Sequence, residues 1–167
     1  MSDTQTARFA LPMLQPGQAQ KELYHNEALV LLDLAVQPVV VEIGLNVPPT
    51  APSLGQSWIV GASPTGAWSG TATHLAGWTG GGWRFVAPSD GMTVWSLADA
   101  LQARFAAGVW VVGESRAARL MVGNQQVIGP QREAIAAPIG GPTADAEARA
   151  AITSILAALR AHGLIAG

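Results

Sequence analysis

Cysteine is missing altogether from the 167 residues of the chain, which excludes disulfides and thiolate metal sites. Charge is scarce too: 12% of residues are charged and 49% are hydrophobic, where soluble proteins usually carry about a quarter charged. Part of the apolar surface is therefore expected to be covered by partners. Histidine occurs at His25, His74 and His162 only, too far apart in sequence to point to zinc. Nine basic residues lie scattered between Arg8 and Arg160 in a chain of net charge −2. No basic stripe can follow a phosphate backbone, so nucleic acid is not expected as a partner. Apolar runs long enough to span a bilayer are lacking, and the start "MSDTQTARFA" has no basic stretch leading into an apolar one. The expectation is a chain made in the cytoplasm, without a membrane span or Sec-type export. No glycine-rich loop sits between a strand and a helix, and "WTGGGWRF" lacks the Lys-Ser or Lys-Thr of a phosphate-binding loop. Its glycines read as a hairpin tip, and no cofactor is implied.

Tryptophan, by contrast, is abundant: all six lie between Trp58 and Trp110. That stretch contains "SWIVG", "GAWSG", "HLAGW", "GGWRFVAP", "MTVWSL" and "GVWVVGE", short apolar runs punctuated by turn residues. Such spacing predicts a small antiparallel sheet or barrel, with a helical turn at "LADALQARF" the one exception. Upstream, "RFALPML" reads as an extended arm because Pro12 bars a regular helix. The positions Ala19, Leu23, Ala28, Leu31, Leu32 and Ala35 then follow helical spacing, with Asn26 able to cap a restarted second part and Pro38 ending it. "VVVEIG" reads as a strand and "RLMVGNQQVIG" as a hairpin with Gly123-Asn124 at its tip. Near the end, "ADAEARAAITSILAALRAHG" predicts a helix with Thr143 as cap, Asp145 and Glu147 at its positive end, and Gly163 closing it. The fold class expected is α+β, in three parts: residues 1–47 with arm, anchoring helix and strand; a Trp-rich β domain over 48–140; and an amphipathic oligomerisation helix over 141–167.

Three groups of residues are candidates for function. The first is the polar knot Lys21, His25, Asn26 and Glu27 in "QKELYHNEAL". On a helix, residues two apart point to nearly opposite sides, so His25 and Glu27 cannot share a metal, and Lys21 and His25 have no nucleophile beside them. A helix junction or an assembly contact explains the knot better than catalysis. The second group is the tryptophans. Trp58, Trp83, Trp95 and Trp110 sit in β-branched runs and read as core. Gly-flanked Trp68 and Trp78 have no bulky neighbours, so at least one is a candidate platform for a sugar ring, with Arg84, Asp90 or Gln102 as polar partners. The third group is the seam Ala148, Ile152, Ile155, Leu159 and His162, spaced 4, 3, 4 and 3. Isoleucine at both central positions favours a bundle of more than two helices, often three. The competing reading packs Ile152, Leu156 and Leu159 onto the chain's own β domain. A polysaccharide-cleaving enzyme would need two carboxylates flanking a cleft, for which Asp90, Asp99 and Glu114 are the candidates.

Taken together, "LPMLQPGQAQKELYHNEALVLLD", "PPTAPSLGQSWIVG", "GAWSG", "LAGWTGGGWRFVAPSDGMTVW" and "GVW" resemble a domain family of unknown function. That family is found in phage tail-fibre proteins and in gene transfer agent particles of alphaproteobacteria, where a head spike carries it. The resemblance covers about residues 8–113, and the tail "DAEARAAITSILAALRAHGLI" is similar to the short helix that ends many such fibre proteins. It implies a non-enzymatic virion-surface structural protein, a homo-oligomer bound to capsid, spike or fibre proteins and to host envelope or capsular polysaccharide. A trimer is favoured, with a pentamer the alternative at a capsid vertex. Within that picture the arm and the polar helix clamp a neighbouring subunit or the capsid.

Overall fold

The computed structural model describes residues 4–15, 21–137, 139 and 145–166. The chain divides into two compact units, Met1–Glu114 and Ser115–Gly167. The hairpin around Gly123, placed with the β domain on sequence grounds, thus falls in the second unit.

The first unit opens with the arm, which is folded and not extended. Gln5 and Pro12 form an antiparallel bridge, and backbone bonds join Thr6 to Leu11 and Met13 to Thr4. Ala10, at φ 52°, makes the reversal. Helix α1 follows, Lys21–Ala35, one continuous element across Asn26; the helical position expected at Ala19 lies outside the described residues. "VVVEIG" divides into two short strands, β1 (Val39–Val40) and β2 (Ile43–Leu45). β1 pairs in parallel with β6 (Thr93–Ser96), while β2 pairs in parallel with β3 (Ser57–Val60). One stretch of chain therefore edges two sheets. The first sheet runs β2-β3-β4-β5, with β4 Leu75–Thr79 and β5 Gly82–Val86. The second runs β1-β6-β7-β8, with β7 Leu101–Ala106 and β8 Val109–Val112. All other pairings in the two sheets are antiparallel.

Two sequence expectations fail here for identifiable reasons. "GAWSG" is a single 3-10 turn, Gly66–Trp68, because Gly66 at φ 58° bends the chain out of any strand. "LADALQARF" is not helical: Ala100, at φ 53°, closes a turn and Leu101 onwards joins β6 as β7.

Packing explains why β3 reads as an unbroken apolar run. Every residue of β3 is buried, so both of its faces are covered, and strict alternation disappears as it does for any doubly covered strand. One cluster, Leu34, Val40, Ile59, Leu75, Val94 and Ala103, joins α1 to both sheets. On the other face of the first sheet, Trp58, Val60, Trp68 and Ala76 form a second cluster, with Trp83 and Phe85 against it. The rings of Trp58, Trp68 and Trp83 meet tilted or edge-on at centroid separations of 5.1–6.3 Å, and Trp78 adds an edge contact to Trp83 at 5.0 Å. These are the geometries that aromatic quadrupoles favour.

In the second unit, β9 (Leu120–Val122) and β10 (Gln125–Ile128) form the expected hairpin, with Gly123 at φ 59° in its turn. Helix α2 runs Ala146–Ala161. Asp145 is its cap, accepting from the Ala148 amide at 2.9 Å; the cap expected at Thr143 lies outside the described residues. At the other end the Gly163 amide donates to the Arg160 carbonyl and the Leu164 amide to that of Leu159, both at 2.9 Å, with Gly163 at φ 67°. This is the paired closure in which a left-handed residue satisfies two terminal carbonyls, and it needs glycine's freedom. Arg132 then forms a parallel bridge with Ile165. Among the described residues of this unit, the buried apolar side chains are Leu156 and Ile165.

No helix among the described residues is long and apolar enough to cross a membrane. The class is α+β, as expected from the sequence.

Candidate functional site

Asp33 organises the N-terminal part of the first unit. It sits inside the apolar run "LVLLDLAV" and is 3% exposed. A carboxylate in that position must be fully hydrogen-bonded. It accepts from the Thr6 hydroxyl and the Phe9 amide at 2.7 Å each, and from the Arg8 amide at 2.9 Å. Arg8 reciprocates. Its guanidinium donates to the carbonyls of Asp33, Val36 and Gln37 at the end of α1, the carbonyls that a helix leaves without partners. Further along the arm, Leu14 is held by Asn26: its amide donates to Oδ1 at 2.9 Å and its carbonyl accepts from Nδ2 at 3.0 Å. Asn26 therefore does not cap a helix start. It pins the arm to the middle of α1.

One residue on, Glu27 reaches the first sheet. Its Oε1 accepts from Arg84 Nε at 2.7 Å. Register explains the meeting: Arg84 stands opposite Gly77, and Gly77 is the position that α1 covers, since a Cβ there would lie 2.2 Å from Leu34 Cδ2. Arg84 Nη1 also donates to the carbonyls of Gly81 and Trp83 at 3.1 Å each, which fixes the guanidinium plane.

Arm, α1, the β4–β5 hairpin and residues 54–55 border an open cavity of about 510 Å³. Its polar border includes Thr6, Asn26, Glu27 and Arg84, and Leu23 and Val30 supply apolar wall. Two residues of the assembly knot, Asn26 and Glu27, and two of the sugar candidates, Arg84 and Trp78, thus border a single place. The remainder separate. Lys21 and His25 are exposed on α1, as is Tyr24 at 84%. Trp78 borders the cavity, yet its ring is packed on Trp83, and alternation along β4 turns that ring away from the face carrying Arg84.

Two tryptophan assignments need correction. Trp68 is fully buried, beneath neighbours from the same cluster, and offers no platform. Sparse local bulk is no guide to burial when the covering residues come from distant strands. Trp95, expected in the core, is 45% exposed, because Val94 and Ser96 on either side take the inward positions of β6. Asp90 is exposed away from the cavity, where it accepts from the Ala107 amide at 3.1 Å. Asp99 accepts from the Ser96 hydroxyl at 2.6 Å, beyond the other end of β6. In α2, Ile152 and Ile155 are 43% and 58% exposed and Leu159 is half-buried, while Leu156 is the helix's buried residue. Among the described residues no group of His, Asp and Glu is arranged to hold a metal ion.

A family described as "protein of unknown function (DUF2793)" matches residues 25–111. The chain belongs to that family. The DUF2793 segment runs from within α1 into β8, so it takes in strands of both sheets, the Glu27–Arg84 pair and the tryptophan cluster. The arm with Thr6 and Arg8 lies before it, and the second unit lies after it. No curated protein matches the chain. Asp33, Thr6 and Arg8 were not singled out from the sequence; a lone acid within an apolar helical run was the available signal.

Proposed function

We propose that the chain is a non-enzymatic structural component of a phage-like particle, a head spike or tail fibre, that attaches the particle to host surface polysaccharide and works as a homo-oligomer. One observation carries the reading. Ile152 and Ile155, two central positions of the heptad-spaced seam, are exposed on α2 in a unit whose buried apolar side chains, among the described residues, are Leu156 and Ile165. A 53-residue unit, Ser115–Gly167, buries too little by itself and gains a core most economically from copies of α2. Family membership and the resemblance of the opening and Trp-rich blocks to fibre and spike domains support the particle setting.

The arm takes a different part from the one expected. Bound back onto α1 through Asp33 and Asn26, it shapes the first unit, and the exposed residues Lys21, Tyr24 and His25 are left as the assembly contacts of that helix. Light-scattering mass of the purified chain, compared with a chain lacking residues 143–167, tests the proposal. A defined oligomer that falls to monomer supports it; a full-length monomer at every concentration removes it.

A carbohydrate-binding module is the second reading, favoured by the cavity beside Arg84. Its volume of about 510 Å³ lies within the range of small-ligand sites, which combine apolar walls with a few polar groups. Capsule pull-down with the Arg84→Gln and Trp78→Ala variants decides it: retention equal to wild type sets this reading aside. A depolymerase has the least support, since the cavity carboxylates Glu27 and Asp33 are both engaged and Asp90 and Asp99 are separated by β6.

A further inference from the structure

The face of the β1-β6-β7-β8 sheet that carries Trp95 bears a second constellation, separate from the cavity. Register determines what shares that face. Trp95 stands between Val39 and Gln102, Thr93 opposite Arg104, and Arg104 opposite Val111. The intervening residues Val94, Ser96, Ala103 and Phe105 are buried, so the other set points outward. An indole exposed in mid-strand is then flanked by an amide, a hydroxyl and a guanidinium. Among the described residues the side chains of Gln102, Arg104, Gln37 and Trp95 make no hydrogen bond or ion pair, and none of the residues paired on this face is acidic. A shallow depression of about 240 Å³ lies here, lined by Gln37, Thr93, Trp95 and Gln102 among others.

We propose that this face is a saccharide platform that takes one ring of an acidic polysaccharide. The apolar C–H face of a pyranose lies on the Trp95 indole, whose electron-rich face attracts those polarised hydrogens. Ring hydroxyls exchange hydrogen bonds with the Gln102 and Gln37 amides, which can donate and accept at once. The carboxylate of a uronic acid meets Arg104, a planar donor suited to bidentate pairing and without an acidic partner among the described residues. The ligand class rests on the attachment reading above; the site does not, being distinct from Trp78, Arg84 and the cavity.

Titration of the full-length chain with polygalacturonate and with dextran, followed by tryptophan fluorescence and calorimetry, tests the platform. Expected is saturable binding of polygalacturonate, with dextran weaker. Trp95→Ala should weaken polygalacturonate by about tenfold or more, a loss of one stacking partner. Gln102→Ala should reduce binding of both polymers, and Arg104→Gln should remove the preference for the acidic one. Circular dichroism and light scattering on each variant check fold and mass. If Trp95→Ala and Gln102→Ala bind like wild type, the platform is refuted, and loss of binding in Arg84→Gln alone would then leave polysaccharide attachment standing at the cavity. Absence of any binding refutes the platform, while the oligomer measurement still judges the particle reading. Conversion of Trp95→Ala to a smaller oligomer would show the face to be a contact between copies and would equally overturn the proposal.

Discussion

Asp33 and Thr6 are both buried, and the threonine hydroxyl donates to the carboxylate across 2.7 Å while the Arg8 and Phe9 amides supply two further bonds. This relationship converts an N-terminal segment into part of the first unit. Asp33→Ala should destabilise that unit by about 3 kcal/mol or more, since three donors lose their charged acceptor in a buried place. Denaturant midpoints measure the loss. Hydrogen exchange should show the Phe9 amide opening, and an unchanged midpoint with Phe9 still protected would contradict the account.

Arg84 and Glu27 form a half-exposed ion pair. Such pairs stabilise by about 1 kcal/mol or less. A double-mutant cycle with Arg84→Gln and Glu27→Gln should give a coupling in that range, and the coupling should shrink in high salt. A coupling several times larger would mean that the pair is a structural pin of the unit.

Gly77 gives way to α1. A Cβ at this position would lie 2.2 Å from Leu34 Cδ2 and 2.7 Å from Cδ1, so Gly77→Ala should cost about 1–3 kcal/mol by overpacking. Combining it with Leu34→Val should cost less than the sum of the two single changes, because the smaller side chain vacates the space. Strict additivity in thermal melts would place the strain elsewhere.

The helix seam predicts a separation of effects. Ile152→Asp with Ile155→Asp should leave the chain monomeric in sedimentation where wild type forms the proposed oligomer, and should keep the tryptophan fluorescence of the first unit unchanged, since all six indoles belong to residues before Ser115. By the same reasoning, a chain ending at Glu114 should fold and keep its near-ultraviolet aromatic signal. Loss of that signal would show that the division at Glu114 is not a division of stability.

Helices and hairpins with strong local chemistry were legible in the sequence. α2 was announced by Gly163 and its acidic first turn, and the β9–β10 hairpin by Gly123-Asn124. What escaped depends on distant contacts. "LADALQARF" has helix-forming composition, but pairing with β6 and the reversal at Ala100 override it. Trp68 and Trp95 exchange their expected places because burial is set by which face a neighbouring strand or cluster covers, and single-chain patterning cannot report that for short strands. Of the candidate site, Glu27, Asn26 and Arg84 were each picked out, though as members of separate groups; only α1 docking over Gly77 brings them to one cavity. The arm's fastening to Asp33 is a contact across 27 residues, and no local rule foretells it.

The short link at Val41 and Glu42, where the chain leaves one sheet and enters the other, has a mechanical consequence. Together with residues 87–92, which lead from β5 to β6, it ties the two sheets by covalent chain, so force on one sheet's rim is passed to its counterpart. Under the attachment role proposed above, a load entering either sheet would reach the other through these links.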